Sequence, residues 1–243
     1  MFSNVLFWDI SPYVTISVLV VGTWWRYRYD KFGWTSRSSQ IYESRLLRVA
    51  SPIFHFGILA VFAGHVMGLF IPPRVTHLLR ISDHFYHLQS VIAGSIAGIA
   101  TLVGIGLLIY RRFTRPAVSM ATTGSDKLMY VVLVLAIVVG LYCDLIGTGP
   151  HGGEFHYRYT VGTWFRRIWL LQPHGEVMIH APLDYQLHAL IGMVLFTLWP
   201  FTRLVHVFSA PIAYLFRPYI VYRSRDTAEK GEMVAAAPRR RGW

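Results

Sequence analysis

The sequence predicts an all-α polytopic membrane protein, five transmembrane helices in a bundle, with the N-terminus outside and the C-terminus cytoplasmic. Three observations carry this expectation. The 243 residues are 54% hydrophobic but only 14% charged, with a mean hydropathy of +0.42, the profile of a chain that places most of itself in lipid. Five apolar runs of roughly 20 residues, enough to cross a bilayer as a helix, fall at about 5–25, 50–71, 88–110, 128–146 and 185–207. Lys and Arg alternate strongly between the connecting segments, which sets the orientation.

Taken in order, the first run has no Lys or Arg before Arg26 and so lacks the charged leader of a cleaved signal; it is expected to stay as a span. The segment after it, 26–49, holds Arg26, Arg28, Lys31, Arg37, Arg45 and Arg48. The segment after the third run holds Arg111, Arg112, Arg115 and Lys127, and the tail from Arg203 holds eight more. Together these carry 18 of the 23 basic residues. The alternate segments carry only Arg74, Arg80, Arg158, Arg166 and Arg167, so they are assigned to the outside.

Two domains are expected, a membrane region at 1–207 and a cytoplasmic tail at 208–243. The tail's PIAYLFRPYIVYRSRD stretch suits the inner surface or a partner, and AAAPRRRGW suits a disordered end drawn to anionic lipid. In the outer segment 147–184, TWFRRIWLLQP mixes aromatic and aliphatic side chains with Arg166 and Arg167. It reads either as an amphipathic piece on the membrane surface or as a loop packed on the helix ends.

Composition removes some functions. The lone Cys143 allows no internal disulfide, and there is no CxxC or CxxCH pattern for zinc, an iron-sulfur cluster or covalent haem. The net charge of +11 is spread along loops, so it points to a membrane surface and not to nucleic acid.

Histidine is the informative residue. Of eleven, seven fall in or beside the outer segments, while His55 and His65 lie in the second run and His188 and His206 in the fifth. A buried imidazole is costly in lipid and needs a reason. One reading is ordinary hydrogen-bonded packing. The other is axial ligation of haem iron, with two histidines on each of two helices holding two bis-histidine b-type haems. A proton relay or haem-free transporter would be expected to pair its histidines with buried carboxylates, whereas Asp9, Asp144 and Asp184 sit near run ends.

Topology sets the pairing: His55 with His206 on the cytoplasmic side, His65 with His188 on the outer side. The spacing resists it. Residues ten apart on a helix are separated by ~15 Å and ~80°, and residues eighteen apart by ~27 Å on one face, so two straight antiparallel helices cannot hold both pairs level. Pro200 lies between His188 and His206, where it can bend the fifth span. Gly57, Gly64 and Gly68 in the second span, and Gly94 and Gly98 in the third, favour close helix contact. Arg111, Arg112 and Arg203 are candidate partners for inner-haem propionates, or simply cytoplasmic anchors.

The stretches RYRYDKFGWTSRSSQ, SPIFHFGILAVFAGH, TTGSD and YQLHALIGMVLFTLWPFTRLVHVFSAP together resemble the gamma subunit of membrane-bound respiratory nitrate reductase, a dihaem cytochrome b, over nearly the whole chain to about Arg225. All four histidine positions match. The resemblance implies a plasma-membrane subunit that oxidises quinol near the outer face. It would pass electrons through two haems to a cytoplasmic iron-sulfur beta subunit and then to a molybdenum-containing alpha subunit that reduces nitrate. A cytochrome b serving a hydrogenase or a heterodisulfide-reductase-like complex stands as the alternative. The family's quinol site is associated with a lysine before the third span. Here ISDHFYHLQS has none, and His84 or His87 is the expected proton acceptor unless both merely face water.

Overall fold

The computed structural model describes residues 4–30, 39, 42–147 and 155–209. The expected tail lies outside the described residues from position 210 onward, as do Lys31, Arg37 and His151. Among the described residues all regular structure is helical.

The first helix, α1, runs Val5–Tyr29 and is opened by Asn4, whose side chain accepts the Leu6 N–H at 3.0 Å. Pro12 lies inside it and offers no N–H to the carbonyl of Trp8 four residues back. That carbonyl instead accepts the indole N–H of Trp164 at 3.0 Å, which pins the outer segment to α1. The second helix, α2, covers Arg45–His65 and continues as a π-turn, Val66–Phe70. After the short α3 (Pro73–Leu78), α4 spans Asp83–Thr114, with Ser82 as its cap. The short α5 (Pro116–Met120) leads to α6, Gly124–Tyr142. Thr123 and Asp126 close a capping box at the start of α6, and a π-turn, Cys143–Gly147, ends it.

In the outer segment lie α7 (Val161–Trp169) and α8 (Glu176–Ile179). Here the second reading of TWFRRIWLLQP applies to one face: Trp164 and Ile168 are buried against Trp8 and Met178, at the N-terminal end of α1. Trp169, Leu170 and Leu171 remain exposed. The last helix, α9, is Leu183–Leu198, followed by 3₁₀ turns at Trp199–Phe201 and Arg203–Ser209.

Four helical segments, Val5–Tyr29, Arg45–Phe70, Asp83–Thr114 and Gly124–Gly147, are long and apolar enough to cross a membrane. The pair Leu183–Phe201 and Arg203–Ser209 qualifies as a further span when counted together, bent by 76°. Thr202 makes the break. It is a single extended residue (φ −121°, ψ 179°) directly after the proline-containing turn. Arg26 of α1 fastens the bend by donating to the Pro200 carbonyl at 2.8 Å.

Neighbours pack in the order α2, α4, α6, α9, α1. Between α2 and α4 the approach is backbone to backbone. A Cβ on Gly57 would come within 2.8 Å of the Thr101 nitrogen, and one on Gly104 within 2.5 Å of the Phe54 nitrogen. Ile105, Met129, Val132, Leu133 and Leu195 fill the centre where α4, α6 and α9 meet. By contrast, α2 and α9 do not pack closely on one another, yet α2 carries His55 and His65, α9 carries His188, and the 3₁₀ turn beyond α9 carries His206.

Candidate functional site

The two helices meet through their imidazoles. His65 and His188 face each other with ring centroids 5.9 Å apart, and His55 and His206 with centroids 6.2 Å apart. These are the two pairs expected from topology. The spacing conflict is resolved by the break at Thr202: His206 is reached around a 76° turn, so it need not lie a full helix length below His188.

Three of the four rings are oriented by their own backbone. In an α-helix the carbonyl four residues back lies beside a side chain, and a carbonyl can only accept. The contacts of His55 Nδ1 with the Ser51 carbonyl (2.7 Å) and of His65 Nδ1 with the Val61 carbonyl (2.8 Å) therefore place a proton on Nδ1. His206 does the same toward the Arg203 carbonyl, which the 3₁₀ turn brings three residues back. In all three rings Nε2 is then left as a bare lone pair. This is the arrangement that second-shell hydrogen bonds impose on metal-ligating histidines. For His188, Nδ1 is buried without a hydrogen-bond partner. The ring sits against Gly140 of α6, where a Cβ would fall 2.8 Å from Cε1. Gly140 was not singled out from the sequence; its signal is a glycine in an otherwise branched apolar run.

His55 and His65 are exposed and His188 and His206 half-buried, all within segments of membrane-spanning character. Gly192, one turn from His188 on the same helix face, has no heavy atom within 4 Å of where a Cβ would sit. Among the described residues there is no group of three or more His, Cys, Asp or Glu side chains suited to a bare metal ion.

The three arginines assigned to propionates are engaged within the protein. Every guanidinium nitrogen of Arg111 bonds to Glu43 or Ser39, and the residue is 2% exposed. Arg112 donates to Tyr130 and Thr122. Arg203 grips Asp126 with two hydrogen bonds of 2.8 and 3.0 Å. These contacts tie Ser39 and Glu43 to α4, α4 to α6, and the bent span to α6 near His206. Leu46 N–H and the Arg111 guanidinium hold the Glu43 carboxyl below its ordinary pKa.

His84 is exposed in the first turn of α4. His87, one turn on, lines a water-sized cavity of about 30 Å³ with Asp83, Tyr86, Ser90, Tyr157 and Arg158. The Arg158 guanidinium lies 3.7 Å over the Tyr86 ring and donates to Thr76. Burial pushes the Tyr157 hydroxyl up, and burial together with Arg158 pulls Arg166 down. Arg166 donates to the carbonyls of Leu69 and Arg158, tying the outer segment to the π-turn that follows His65.

An all-helical, multi-span membrane protein with two facing imidazole pairs is the class that this architecture defines. A family model described as nitrate reductase gamma subunit matches residues 4–225. The nitrate reductase-like protein NarX of Mycobacterium tuberculosis is 62% identical over 238 residues, which is 98% of this chain and 36% of that protein. The nitrate reductase gamma chain of Bacillus subtilis is 43% identical over 92% of this chain and all of its own length. The respiratory nitrate reductase 1 gamma chain of Escherichia coli is 34% identical over 92% and 99%. The chain belongs to the nitrate reductase gamma subunit family, as the resemblance around TRLVHVFSAP implied. It spans about a third of the length of the NarX protein that it matches.

Proposed function

We propose that the four histidines hold two b-type haems, the outer on His65 and His188 and the inner on His55 and His206. The chain would then be the plasma-membrane subunit that oxidises quinol near the outer face and delivers electrons to a cytoplasmic iron-sulfur beta subunit, for nitrate reduction on a molybdenum-containing alpha subunit. The observation that supports this reading most is the pairing of the rings, in which three of the four imidazoles have Nδ1–H tied to a backbone carbonyl and so keep the Nε2 lone pair free for a metal. Two metal–imidazole bonds of about 2 Å plus the ring radii put the centroids about 6 Å apart, which the separations of 5.9 and 6.2 Å match. A pair of imidazoles alone is too few ligands for a bare metal ion, whereas a haem would bring the rest of its own ligand set. Bound there, haem supplies a one-electron redox centre.

The protein's own residues set the rest. The Ser51, Val61 and Arg203 carbonyls orient three of the rings through Nδ1–H, and Gly140 makes room for His188. At the outer end His87 takes a proton from quinol, since it lines a cavity beside Asp83, Tyr86 and Arg158. Its exposed neighbour His84 lacks that setting.

Isolating the complex from native membranes tests the proposal. The expected result is two b-type haems per chain, reducible by menadiol, with an iron-sulfur and a molybdenum subunit co-purifying. Co-purification with hydrogenase subunits would move the chain to another oxidoreductase, and a colourless chain would remove the haem reading.

A further inference from the structure

We infer that Asp144 is a second proton-accepting residue for the quinol, working beside His87 at the outer end of the bundle. The inference rests on the quinol-oxidising reading and adds a residue to it.

A carboxylate in a segment of membrane-spanning character is costly and calls for a partner or a task. Asp144 lies within the π-turn Cys143–Gly147 that ends α6, where the extra residue per turn redirects side chains relative to the helix before it. The carboxylate is turned to α4, where Ser95 donates to Oδ2 at 3.0 Å. Gly94 leaves it room: a Cβ there would be 2.9 Å from Oδ2. His87 and His65 both lie within electrostatic reach of the carboxylate. A half-buried acid is thus held against α4, the helix that also carries the candidate base His87.

The chemistry gives it a task. Oxidising one quinol breaks two O–H bonds and yields quinone, two protons and two electrons. One proton goes to His87 and the other to the Asp144 carboxylate. The two electrons would leave singly to a one-electron oxidant, the chemistry that a ferric b-type haem would supply if held by His65 and His188. A single base would have to discharge between the two deprotonations; two bases of different type need not.

The test uses the full complex in native membranes with menadiol as reductant. Asp144→Asn keeps an acceptor for the Ser95 hydroxyl but cannot take a proton. It is expected to slow menadiol-driven haem reduction by about 100-fold while the dithionite-reduced spectrum stays unchanged. Added formate is expected to recover part of the rate, and Asp144→Glu most of it. In infrared difference spectra, menadiol is expected to raise a protonated-carboxyl band that D144N lacks. Gly94→Ala, which displaces the carboxylate without removing it, is a second variant expected to slow reduction with pigment retained. Wild-type rates in both variants, or the same carboxyl band in D144N, overturn the inference. Failure of the unmutated complex to be reduced by menadiol would instead overturn the quinol reading beneath it.

Discussion

Removing the Asp126 carboxylate is expected to loosen the inner imidazole pair and leave the outer one in place. Arg203 donates twice to Asp126, and the two side chains are only 17% and 6% exposed. Breaking a buried pair by deleting one partner leaves an uncompensated charge and costs about 3–5 kcal/mol. The same substitution removes half of the capping box with Thr123, worth about 1 kcal/mol. Against a stability of about 5–15 kcal/mol, Asp126→Ala therefore weakens the fold severely. The damage is local because the Arg203 carbonyl is also the acceptor that orients His206. The assay is a redox-titrated difference spectrum of the purified complex alongside its thermal unfolding. The expected result is a lowered unfolding temperature and loss of one pigment, the one also lost in His206→Ala. Full pigment with unchanged unfolding would refute the reasoning, and selective loss of the His188-dependent pigment would contradict the assignment of Arg203 to the inner end.

Further outcomes follow from individual contacts. Gly140→Val forces a side chain where even a Cβ would lie 2.8 Å from His188 Cε1; overpacking costs about 1–3 kcal/mol, and the difference spectrum should lose the outer pigment alone. Gly104→Val meets the α2 backbone at Phe54, which cannot yield as a flexible side chain can, so little assembled protein is expected by gel filtration in detergent. Since the Glu43 carboxyl is held below its ordinary pKa, its contribution is present at neutral pH and persists above the unfolded value of about 4.3. It is lost as pH falls through the lower folded value. Amide protection factors at the C-terminal end of α4, corrected for the slower intrinsic exchange at acid pH, should therefore fall at acid pH in the wild type, and Glu43→Gln should already show that lower protection at neutral pH.

The histidine pairing was legible in the sequence because two facts of different kind agree: His55 and His65 share one apolar run, His188 and His206 another, and antiparallel crossing leaves one way to pair them. The bend that reconciles ten residues with eighteen was legible only as Pro200. Its location at Thr202 depends on the 3₁₀ turns on either side and on the Arg26 contact from α1, which is tertiary. The π-turns after His65 and Tyr142 left no mark that periodicity could show, since each inserts one residue into an apolar run. Asp144 consequently read as a span-end acid. Gly57 was picked out and does meet α4, but Gly104 and Gly140 matter as much, and only the identity of the facing atom shows it. The arginines illustrate the same limit: segment position marked Arg111, Arg112 and Arg203 as basic residues beside the inner pair. That Glu43, Tyr130 and Asp126 already engage them is a matter of which helices are neighbours.

The most direct measurement is the haem content and low-temperature electron paramagnetic resonance of the purified complex with each intramembrane histidine replaced in turn by alanine. Two low-spin bis-imidazole signals are expected in the unmutated protein, one lost with either His65 or His188, the other with either His55 or His206. A chain without iron, or signals that survive these substitutions, would contradict the account.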